Sequence, residues 1–314
     1  MFWPNTFFIL IFWKLIPKLS SQYVGCRLFN ELSTTDEVTW GCSNVTLNPT
    51  DLEKTVKFRM VNTKNVTVLW FQNNTGGFDS DVFQNFTQVK ALYIVENVFE
   101  TFNLNFTNIE RLWMVRTTLP SDTTFANCCP RLERLFLKSN EGLNFELTGF
   151  RGMSRLHHLN LKLQKLKHVT RNTFRGLSRL KTLTLVHCGI ESIAEGSFDD
   201  LSNLREIDIE DHNITRIASG VFDSMPKLTS LTIYGDNIPP LSLSMFKNQK
   251  KLMQIGLPLN TWRVVDVEQI PTMFPRLNFF SHIGTWDNEE DKFDLNKRVF
   301  RRLSELLENS ERFS

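Results

Sequence analysis

The stretch RLERLFLKSN, residues 131–140, contains a pattern that returns at a constant interval along the chain. The copies read RLERLFL, RLHHLNL, RLKTLTL, NLREIDI, KLTSLTI and KLMQIGL, and their first core residues are Leu132, Leu156, Leu180, Leu204, Leu228 and Leu252. Positions are counted from this first core residue. Apolar residues at the first, fourth and sixth positions predict a short strand with one buried face. A fixed period of this length indicates a solenoid, because only stacked repeats can bury those side chains together.

A second apolar column accompanies the leucines. A phenylalanine comes six residues before the first leucine of five copies, at Phe150, Phe174, Phe198, Phe222 and Phe246. We expect these rings to form a spine that runs from repeat to repeat. Looser copies of the frame start at Val66, Val89, Ile109 and Leu277, so the chain is predicted to contain ten repeats within residues 50–285.

The frame resembles the typical 24-residue repeat of animal extracellular leucine-rich-repeat proteins, as in Toll-type receptor ectodomains and the secreted leucine-rich-repeat immune proteins of insects. The resemblance implies an α/β solenoid shaped as a horseshoe, with short parallel strands on its concave face. It also implies a ladder of hydrogen-bonding residues at the ninth position of each repeat. That position holds Asn74, Asn97, Thr117, Asn140, Gln164, Cys188, His212, Asp236 and Asn260.

Residues 1–21 are predicted to be a signal peptide. Residues 7–13, FFILIFW, form an apolar run, and Ser20 and Ser21 follow it as small residues suited to cleavage. An uncleaved anchor is the alternative, although the run is shorter than the roughly 20 apolar residues that span a bilayer. No later segment is as long and apolar as that, so the mature chain is predicted to be secreted, with no membrane span.

The acceptor pattern for N-glycosylation supports the same route. It occurs at Asn44, Asn65, Asn73, Asn85, Asn105 and Asn213. The formal net charge of +2 gives no reason to expect nucleic acid or an anionic membrane as the partner. We therefore expect an extracellular glycoprotein.

Residues 22–49 and 286–314 fit no repeat and are predicted to cap the solenoid. Cys26 and Cys42 suit a disulfide within the N-terminal cap, which would contribute roughly 3 kcal/mol. Apolar residues of the C-terminal segment share one face of a predicted helix, namely Val299, Phe300, Leu303, Leu306 and Leu307. We expect this helix to pack over the last repeat; a helix that binds a partner is the alternative.

The remaining cysteines are interpreted by repeat position. Cys188 replaces a ladder asparagine, and Cys129 stands where later repeats hold Leu or Met, so both are predicted to be buried. Cys128 occupies a position that later repeats give to Gly152, Gly176, Asp200 and Ser224, which predicts that it lies near the surface. An exposed thiol in an oxidising compartment tends to find a partner, so Cys128 is the candidate for an intermolecular disulfide in a homodimer or in a heterodimer with a related repeat protein. Pairing of Cys128 and Cys129 with each other or with Cys188 stays open.

The sequence contains no motif for catalysis, a cofactor or a metal. It has neither a glycine-rich phosphate loop nor a nucleophile motif. The carboxylates of Glu206, Asp208, Glu210 and Asp211 are interpreted as a solvated acidic patch rather than as a cation site. The sequence thus predicts a binding protein and not an enzyme.

Ligand contacts are expected on the strand positions that face the hollow. The fifth position of the first four repeats is aromatic in every case, as Trp70, Tyr93, Trp113 and Phe136. Arg111 and Arg134 stand beside this column at the third position. Exposed aromatic residues flanked by arginine are typical of interfaces, which predicts a protein or glycan ligand. The alternative is that the rings stack on one another along the sheet and serve stability alone.

Three functions are compatible with these features. The first is a soluble recognition protein of innate immunity, which binds a microbial surface or a host defence protein. The second is a matrix or adhesion protein that acts by homotypic contact. The third is a soluble protein that resembles a receptor ectodomain.

Overall fold

The computed structural model describes residues 24–29, 37–48, 50, 65–145, 149–211, 213–235, 237–283 and 301–305. The predicted signal peptide and most of the predicted C-terminal cap lie outside these residues. The chain forms two compact units. The first unit comprises residues 1–123 and 140–143, and the second unit comprises residues 124–139 and 144–314.

The described residues form mostly short strands. In chain order these are β1 (Gly25–Phe29), β2 (Val38–Ser43), β3 (Thr46–Leu47), β4 (Val66–Gln72), β5 (Thr75–Asp79), β6 (Ala91–Val95), β7 (Val98–Asn103), β8 (Arg111–Val115), β9 (Thr118–Thr123), β10 (Arg134–Lys138), β11 (Glu141–Leu143), β12 (His158–Lys162), β13 (His168–Val169), β14 (Thr182–Val186), β15 (Ser192–Ile193), β16 (Glu206–Glu210), β17 (Arg216–Ile217), β18 (Ser230–Tyr234), β19 (Gln254–Pro258) and β20 (Phe279–Ile283). Two short helices, α1 (Leu259–Val264) and α2 (Ile270–Met273), lie between β19 and β20. Single 3-10 turns occur at Ser80–Phe83, Leu243–Phe246 and Val267–Gln269.

The first unit contains two sheets. Its main sheet has the order β1-β2-β4-β6-β8, in which β1 and β2 are antiparallel and every later pair is parallel. Its second sheet has the order β11-β9-β7-β5-β3 and is parallel throughout. One repeat therefore contributes one strand to each sheet.

The second unit repeats one arrangement with little variation. Its main sheet has the order β10-β12-β14-β16-β18-β19-β20, and all of these pairs are parallel. Leu135 lies opposite Leu159, and Leu159 opposite Leu183, so the register follows the period of the sequence. The ten predicted repeat starts each lead into a parallel strand, three in the first unit and seven in the second. The predicted repeat solenoid is thereby confirmed.

The strands bury alternate side chains, as the sequence frame predicts. In β12, Leu159 and Leu161 are buried, whereas His158, Asn160 and Lys162 remain partly exposed. Complete burial of one such leucine contributes about 1.5–3 kcal/mol. Because the pattern recurs strand after strand, the core of the second unit is a continuous column of aliphatic residues.

The phenylalanine spine is also present. Phe150, Phe174, Phe198, Phe222 and Phe246 are all fully buried. Their ring centroids are separated from repeat to repeat by 6.1, 5.8, 6.2 and 5.1 Å. Each ring thus fills the space between its two neighbours, and loss of one to alanine would cost about 3–5 kcal/mol.

Buried asparagines connect neighbouring turns of the first unit. Asn97 donates from Nδ2 to the backbone oxygens of Phe71, at 3.0 Å, and Val95, at 2.9 Å. Its Oδ1 accepts a hydrogen bond from the backbone N–H of Asn74 at 3.0 Å. The side chain therefore satisfies three backbone groups that turns would otherwise leave unpaired.

The ladder of the second unit uses other residue types. The Cys188 thiol donates to the backbone oxygen of Leu161 at 3.3 Å. In the next repeat the buried Asp211 accepts from the backbone N–H of Ile190 at 2.9 Å. The ladder position predicted there, His212, lies outside the described residues. Asp211, one residue earlier, is a ladder residue that the sequence frame did not identify.

The N-terminal cap contains the predicted disulfide. Cys26 and Cys42 lie opposite each other in the antiparallel pair β1–β2 and are joined at an S–S distance of 2.05 Å. Between them along the chain, the buried Trp40 enters the core, with its ring 6.2 Å from Phe71 and 5.6 Å from Phe83. The cap is thus continuous with the first repeat in both hydrogen bonding and packing.

The described part of the C-terminal segment is helical. Residues 301–305 form helix, and Leu303 is fully buried. Arg302 makes a two-pronged ion pair with Glu268, with Nε 2.7 Å from Oε1 and Nη2 3.2 Å from Oε2. Burial of Leu303 and this contact with the last turn of the second unit favour the capping role over a partner-binding one.

No helix among the described residues combines the length and the apolar composition needed to cross a membrane.

Candidate functional site

The parallel register brings three predicted ligand contacts together in the first unit. Trp70 on β4 lies opposite Tyr93 on β6, and Tyr93 lies opposite Trp113 on β8. The Tyr93 and Trp113 rings stack, with centroids 5.1 Å apart and planes 17° from parallel. Both side chains are partly exposed. The sequence frame is sufficient to place them, because strands that pair without a register shift align their fifth positions.

Trp70 differs from its two neighbours because it is buried, with 7% of its surface exposed. The cap strand β2 pairs with β4 and places Gly41 opposite Trp70. A Cβ atom at position 41 would collide with the Trp70 carbonyl oxygen, so only glycine permits this approach. The sheet continues past Trp70 into the cap, and the prediction that Trp70 is available to a ligand is wrong for this reason.

Arg111 at the start of β8 is held by an acidic residue of the cap. Its Nη2 lies 2.5 Å from Oε1 of Glu37, and both side chains are partly buried. Partial burial opposes the charge of Arg111, but the hydrogen bond and the charge of Glu37 raise the pKa of the guanidinium overall. Glu37 belongs to no repeat and lies far from Arg111 along the chain. Periodicity could not have identified it.

Tyr93 stays protonated at all physiological pH values. Burial raises the pKa of its hydroxyl to about 12, with Arg111 opposing the shift and Glu37 adding to it. The hydroxyl is therefore a permanent hydrogen-bond donor beside the charged Arg111. Together Tyr93, Trp113 and Arg111 form a surface of two stacked rings and one cation, which we call the aromatic site.

A polar chain of contacts borders the aromatic site at the ends of the same strands. Glu96 accepts from the Gln72 amide at 3.3 Å and makes a short ion pair with Arg116. Arg116 and Glu96 both have positive φ, at 48° and 59°, in the turn that follows each strand. Their side chains are open to solvent, unlike that of the buried Gln72, and they set a charged rim next to the rings.

The last two predicted contacts lie in the second unit. Phe136 and Arg134 are on β10, where Phe136 lies opposite Asn160 and Arg134 opposite His158. Phe136 is partly exposed and Arg134 is exposed. The column then continues without a further aromatic residue, through Asn160, Thr184, Asp208, Thr232, Gly256 and Ser281.

Ionisable groups on this face of the second unit have shifted pKa values. Burial raises the pKa of Asp208 to about 6, and repulsion from Glu210 adds to the shift. Burial lowers the pKa of His158 to about 4, with the positive charges of Arg134 and its other basic neighbours adding to the shift. Asp208 thus changes charge near neutral pH, while His158 is neutral there.

Cys128 is buried, with 5% of its surface exposed, so the prediction of a thiol near the surface is wrong. Its Sγ lies 2.8 Å from Sγ of Cys129. The hydrogen bond with Cys129 and burial raise the pKa of the Cys128 thiol well above its usual range. In this turn the residue with a left-handed backbone is Asn127, with φ of 59°. In the next repeat it is Gly152, which lies one position later in the repeat frame. That shift turns Cys128 inward and removes the exposure on which an intermolecular disulfide depended.

Most of the sequon asparagines are accessible. Asn65, Asn73, Asn85, Asn105 and Asn213 are exposed, and Asn44 is partly buried. Among the described residues, no group of three or more His, Cys, Asp or Glu side chains is arranged to hold a metal ion.

Comparison with known proteins identifies the repeat independently. Residues 130–190 and 178–238 match the family described as leucine rich repeat. No curated protein sequence matches the chain.

Comparison with solved structures gives one likeness that is close enough to show the fold. The crystal structure of a TLR13–ssRNA13 complex superposes with a TM-score of 0.52 at 16% identity, over 77% of this chain and 38% of that one. Two structures of the Toll–Spatzle complex of Drosophila give TM-scores of 0.45 and 0.49 at 16% and 15% identity. They cover 74% and 82% of this chain, and 35% and 38% of theirs. The chain thus spans less than two fifths of the length of these structures. Residues 130–238 thus contain leucine-rich repeats, and the chain has the fold of the TLR13 structure.

Proposed function

We propose that this chain is a secreted recognition protein of innate immunity that binds a protein ligand at the aromatic site. The observation that carries the proposal is the stack of the partly exposed Tyr93 and Trp113 side chains beside the charged Arg111. Aromatic residues and arginine are the residue types in which binding energy concentrates at protein interfaces. Repeat solenoids present extended surfaces of this kind for binding, and the fold is a scaffold for recognition.

The orientation of the rings favours a protein ligand over a glycan. Side chains on a strand stand roughly perpendicular to the sheet. Because Tyr93 and Trp113 stack face to face across neighbouring strands, their ring edges point outward. Ring edges carry the positive end of the quadrupole and suit carbonyl and carboxylate groups, whereas sugars pack on ring faces. The guanidinium of Arg111, which is paired with Glu37, adds a charged group to the same surface.

The ligand is tested by differential capture from extracellular fluid of the source organism. Wild-type protein and the Trp113→Ala variant serve as baits, and captured proteins are quantified by mass spectrometry. Trp113→Ala should weaken binding by about 2 kcal/mol or more, a loss of roughly thirtyfold in affinity. Thr184→Ala, at the same strand position in the second unit, is the matched control and should capture as the wild type does.

Two outcomes would overturn the proposal. One is equal capture of every protein by wild type and Trp113→Ala at equal thermal stability. The other is tryptophan fluorescence quenching by a cell-wall polysaccharide that Trp113→Ala abolishes, which would assign the site to a glycan. Self-association of the wild type in sedimentation, lost in Trp113→Ala, would instead favour homotypic adhesion.

Secretion is tested separately by expression in eukaryotic cells. We expect the protein to appear in the medium. It should be shorter by about 20 residues, because the signal peptide is removed on export. It should also lose mass on enzymatic deglycosylation. A full-length product retained in the cytosol would contradict the extracellular role.

A further inference from the structure

A row of basic residues runs along the second unit, just before the strands of its main sheet. The residue that precedes the first core leucine of each repeat is basic in six of seven repeats. These residues are Arg131, Arg155, Arg179, Asn203, Lys227, Lys251 and Arg276. All six basic members are exposed.

Contacts along the chain of repeats establish that these positions are neighbours. Lys227 Nζ lies 2.5 Å from Oδ1 of Asn203, the equivalent residue of the preceding repeat. On the other side of the core leucine, the backbone N–H of Lys181 bonds to the oxygen of His157 at 2.8 Å, and that of Arg205 to Lys181 at 2.9 Å. Lys181 and Arg205 are exposed as well and extend the row.

We call the eight cations the basic ridge: Arg131, Arg155, Arg179, Lys181, Arg205, Lys227, Lys251 and Arg276. Strands of a sheet lie about 4.8 Å apart, so the seven repeats make a row about 29 Å long. Each of the seven repeats contributes at least one arginine or lysine to this line, and the uncharged Asn203 and the acidic Glu133 interrupt it.

The basic ridge is poorly neutralised by the protein itself. Arg155, Arg179, Lys181, Arg205, Lys251 and Arg276 make no ion pair within 4 Å in the part of the chain that the structure describes. Other arginines of the molecule do find carboxylates, such as Arg171 with Asp199 at 3.2 Å. The field of the ridge reaches the strand beside it, since Lys181 contributes to the lowered pKa of His158.

An equivalent column elsewhere in the same repeats shows what an ordinary solvated column contains. The position that follows the spine phenylalanine holds Arg151, Arg175, Asp199, Asp223 and Lys247. Both signs occur there, and its members bond to neighbours, as Asp223 does with Asn248 at 3.0 Å. Like charges one strand apart are unfavourable. A row with a cation in each of seven repeats and one carboxylate, at Glu133, is therefore a cost to the free protein that a bound polyanion would reduce.

We propose that the basic ridge binds a linear sulfated polysaccharide laid along the repeats of the second unit. Such a polymer has anionic groups along its whole length, as the ridge has cations. The planar fork of arginine matches two oxygens of one oxyanion, and most members of the ridge are arginine.

Two observations favour this polymer over a nucleic acid. Neither column of the ridge contains a Phe, Tyr or Trp on which a base could stack. The edge is also free of sequons, since the second unit has a single one, at Asn213, which follows the strand β16. In the first unit, by contrast, Asn85 and Asn105 precede β6 and β8. The ridge uses neither Tyr93 nor Trp113, so the proposal goes beyond the aromatic site.

The test measures heparin binding over a range of NaCl concentrations. The ridge variant combines Arg155→Ser, Arg179→Ser and Lys251→Ser. The control variant removes three other exposed charges of the second unit, by Lys165→Ser, Lys167→Ser and Arg216→Ser. Thermal melting of both variants checks that these surface changes leave the fold intact.

We expect the ridge variant to lose at least tenfold in affinity at physiological salt. Its slope of log K against log salt should become less steep by about 2–3, because binding through fewer cations releases fewer counterions. The control variant and Trp113→Ala should bind heparin as the wild type does, and completely desulfated heparin should not bind. Equal losses in ridge and control variants would overturn the proposal, as would tighter binding of a single-stranded oligonucleotide than of heparin.

Discussion

The two units differ in the spacing of their repeats and in the length of their outer strands. In the second unit the repeat starts are evenly spaced from Leu132 to Leu252, and the outer strands β13, β15 and β17 are only two residues long. In the first unit the starts at Val66, Val89 and Ile109 are closer together and uneven, and the outer strands β5, β7 and β9 are at least twice as long. On the outer side, the repeats of the first unit thus have long strands where the regular repeats of the second unit have mostly turns. The inner frame is retained, so it is the outer side that adapts to a change of repeat length.

The aromatic cores differ accordingly. Phe174 of the second unit contacts the rings of Phe150 and Phe198 in a one-dimensional stack. Phe83 of the first unit is surrounded by five rings at 5.5–6.3 Å, those of Trp40, Phe71, Phe78, Phe86 and Phe106. A stack can be extended by adding repeats, whereas a cluster has a fixed composition. The first unit is therefore the more specialised of the two, and the aromatic site lies on it.

The largest predicted effect tests the inner frame that both units share. Leu183 and Leu92 occupy the same position of their repeats, and both are fully buried. Leu183→Asp and Leu92→Asp each introduce a charge with no partner into the core and should cost several kcal/mol. Calorimetry should show a lower melting temperature for both.

The control for that prediction is Thr184→Asp, which changes the next side chain on the partly exposed face. It should lower the melting temperature much less than Leu183→Asp does. An unchanged melting temperature for Leu183→Asp would contradict the register of the whole second unit.

A smaller effect separates the cluster from the stack. Phe83→Leu removes ring contacts with five neighbours, and Phe174→Leu with two. Since each aromatic pair adds about 0.5–1.5 kcal/mol beyond area burial, we expect a loss of at least about 2.5 kcal/mol at Phe83 and of about 1–3 kcal/mol at Phe174. Urea unfolding of the two variants measures the difference. A larger loss at Phe174 would mean that the stack, and not the cluster, is the more strongly coupled core.

The smallest effect concerns acids on the exposed faces of the two units. Burial raises the pKa of Asp208 to about 6 from an ordinary value of 3.8. A folded-state pKa above the unfolded value means that this group favours folding below about pH 4 and that this contribution is lost as the pH rises through 6. Asp208→Asn should therefore raise the free energy of unfolding by about 1–2 kcal/mol at pH 8 and leave it nearly unchanged at pH 4.

Glu37→Gln is the counterpart in the first unit. Glu37 is paired with Arg111, so its replacement should lower stability by up to about 1 kcal/mol instead of raising it. Urea titrations at the two pH values compare both variants. If Asp208→Asn destabilises at pH 8, the carboxylate has a favourable partner and the interpretation of its burial is wrong.

The amino-acid sequence by itself determined the fold and the register, and with them the places of Tyr93 and Trp113 in the candidate site. The constant period of the leucines specifies which side chains of every strand are buried, because alternation along a strand and stacking between repeats leave one consistent arrangement. Tyr93 and Trp113 follow from that register, as does the phenylalanine spine. The disulfide between Cys26 and Cys42 could be predicted because both cysteines lie before the first repeat.

The tertiary structure alone decided the features that depend on non-repeating parts of the chain. Trp70 is buried because the cap extends the sheet past it, and Arg111 is paired because Glu37 of that cap reaches it. Cys128 is buried because its turn places the left-handed residue at Asn127, one position before the glycine of later repeats. Periodicity reports what is common to all repeats. Contacts with a cap and a one-residue shift in a turn are local exceptions, and their effect on burial arises only when the chain is packed.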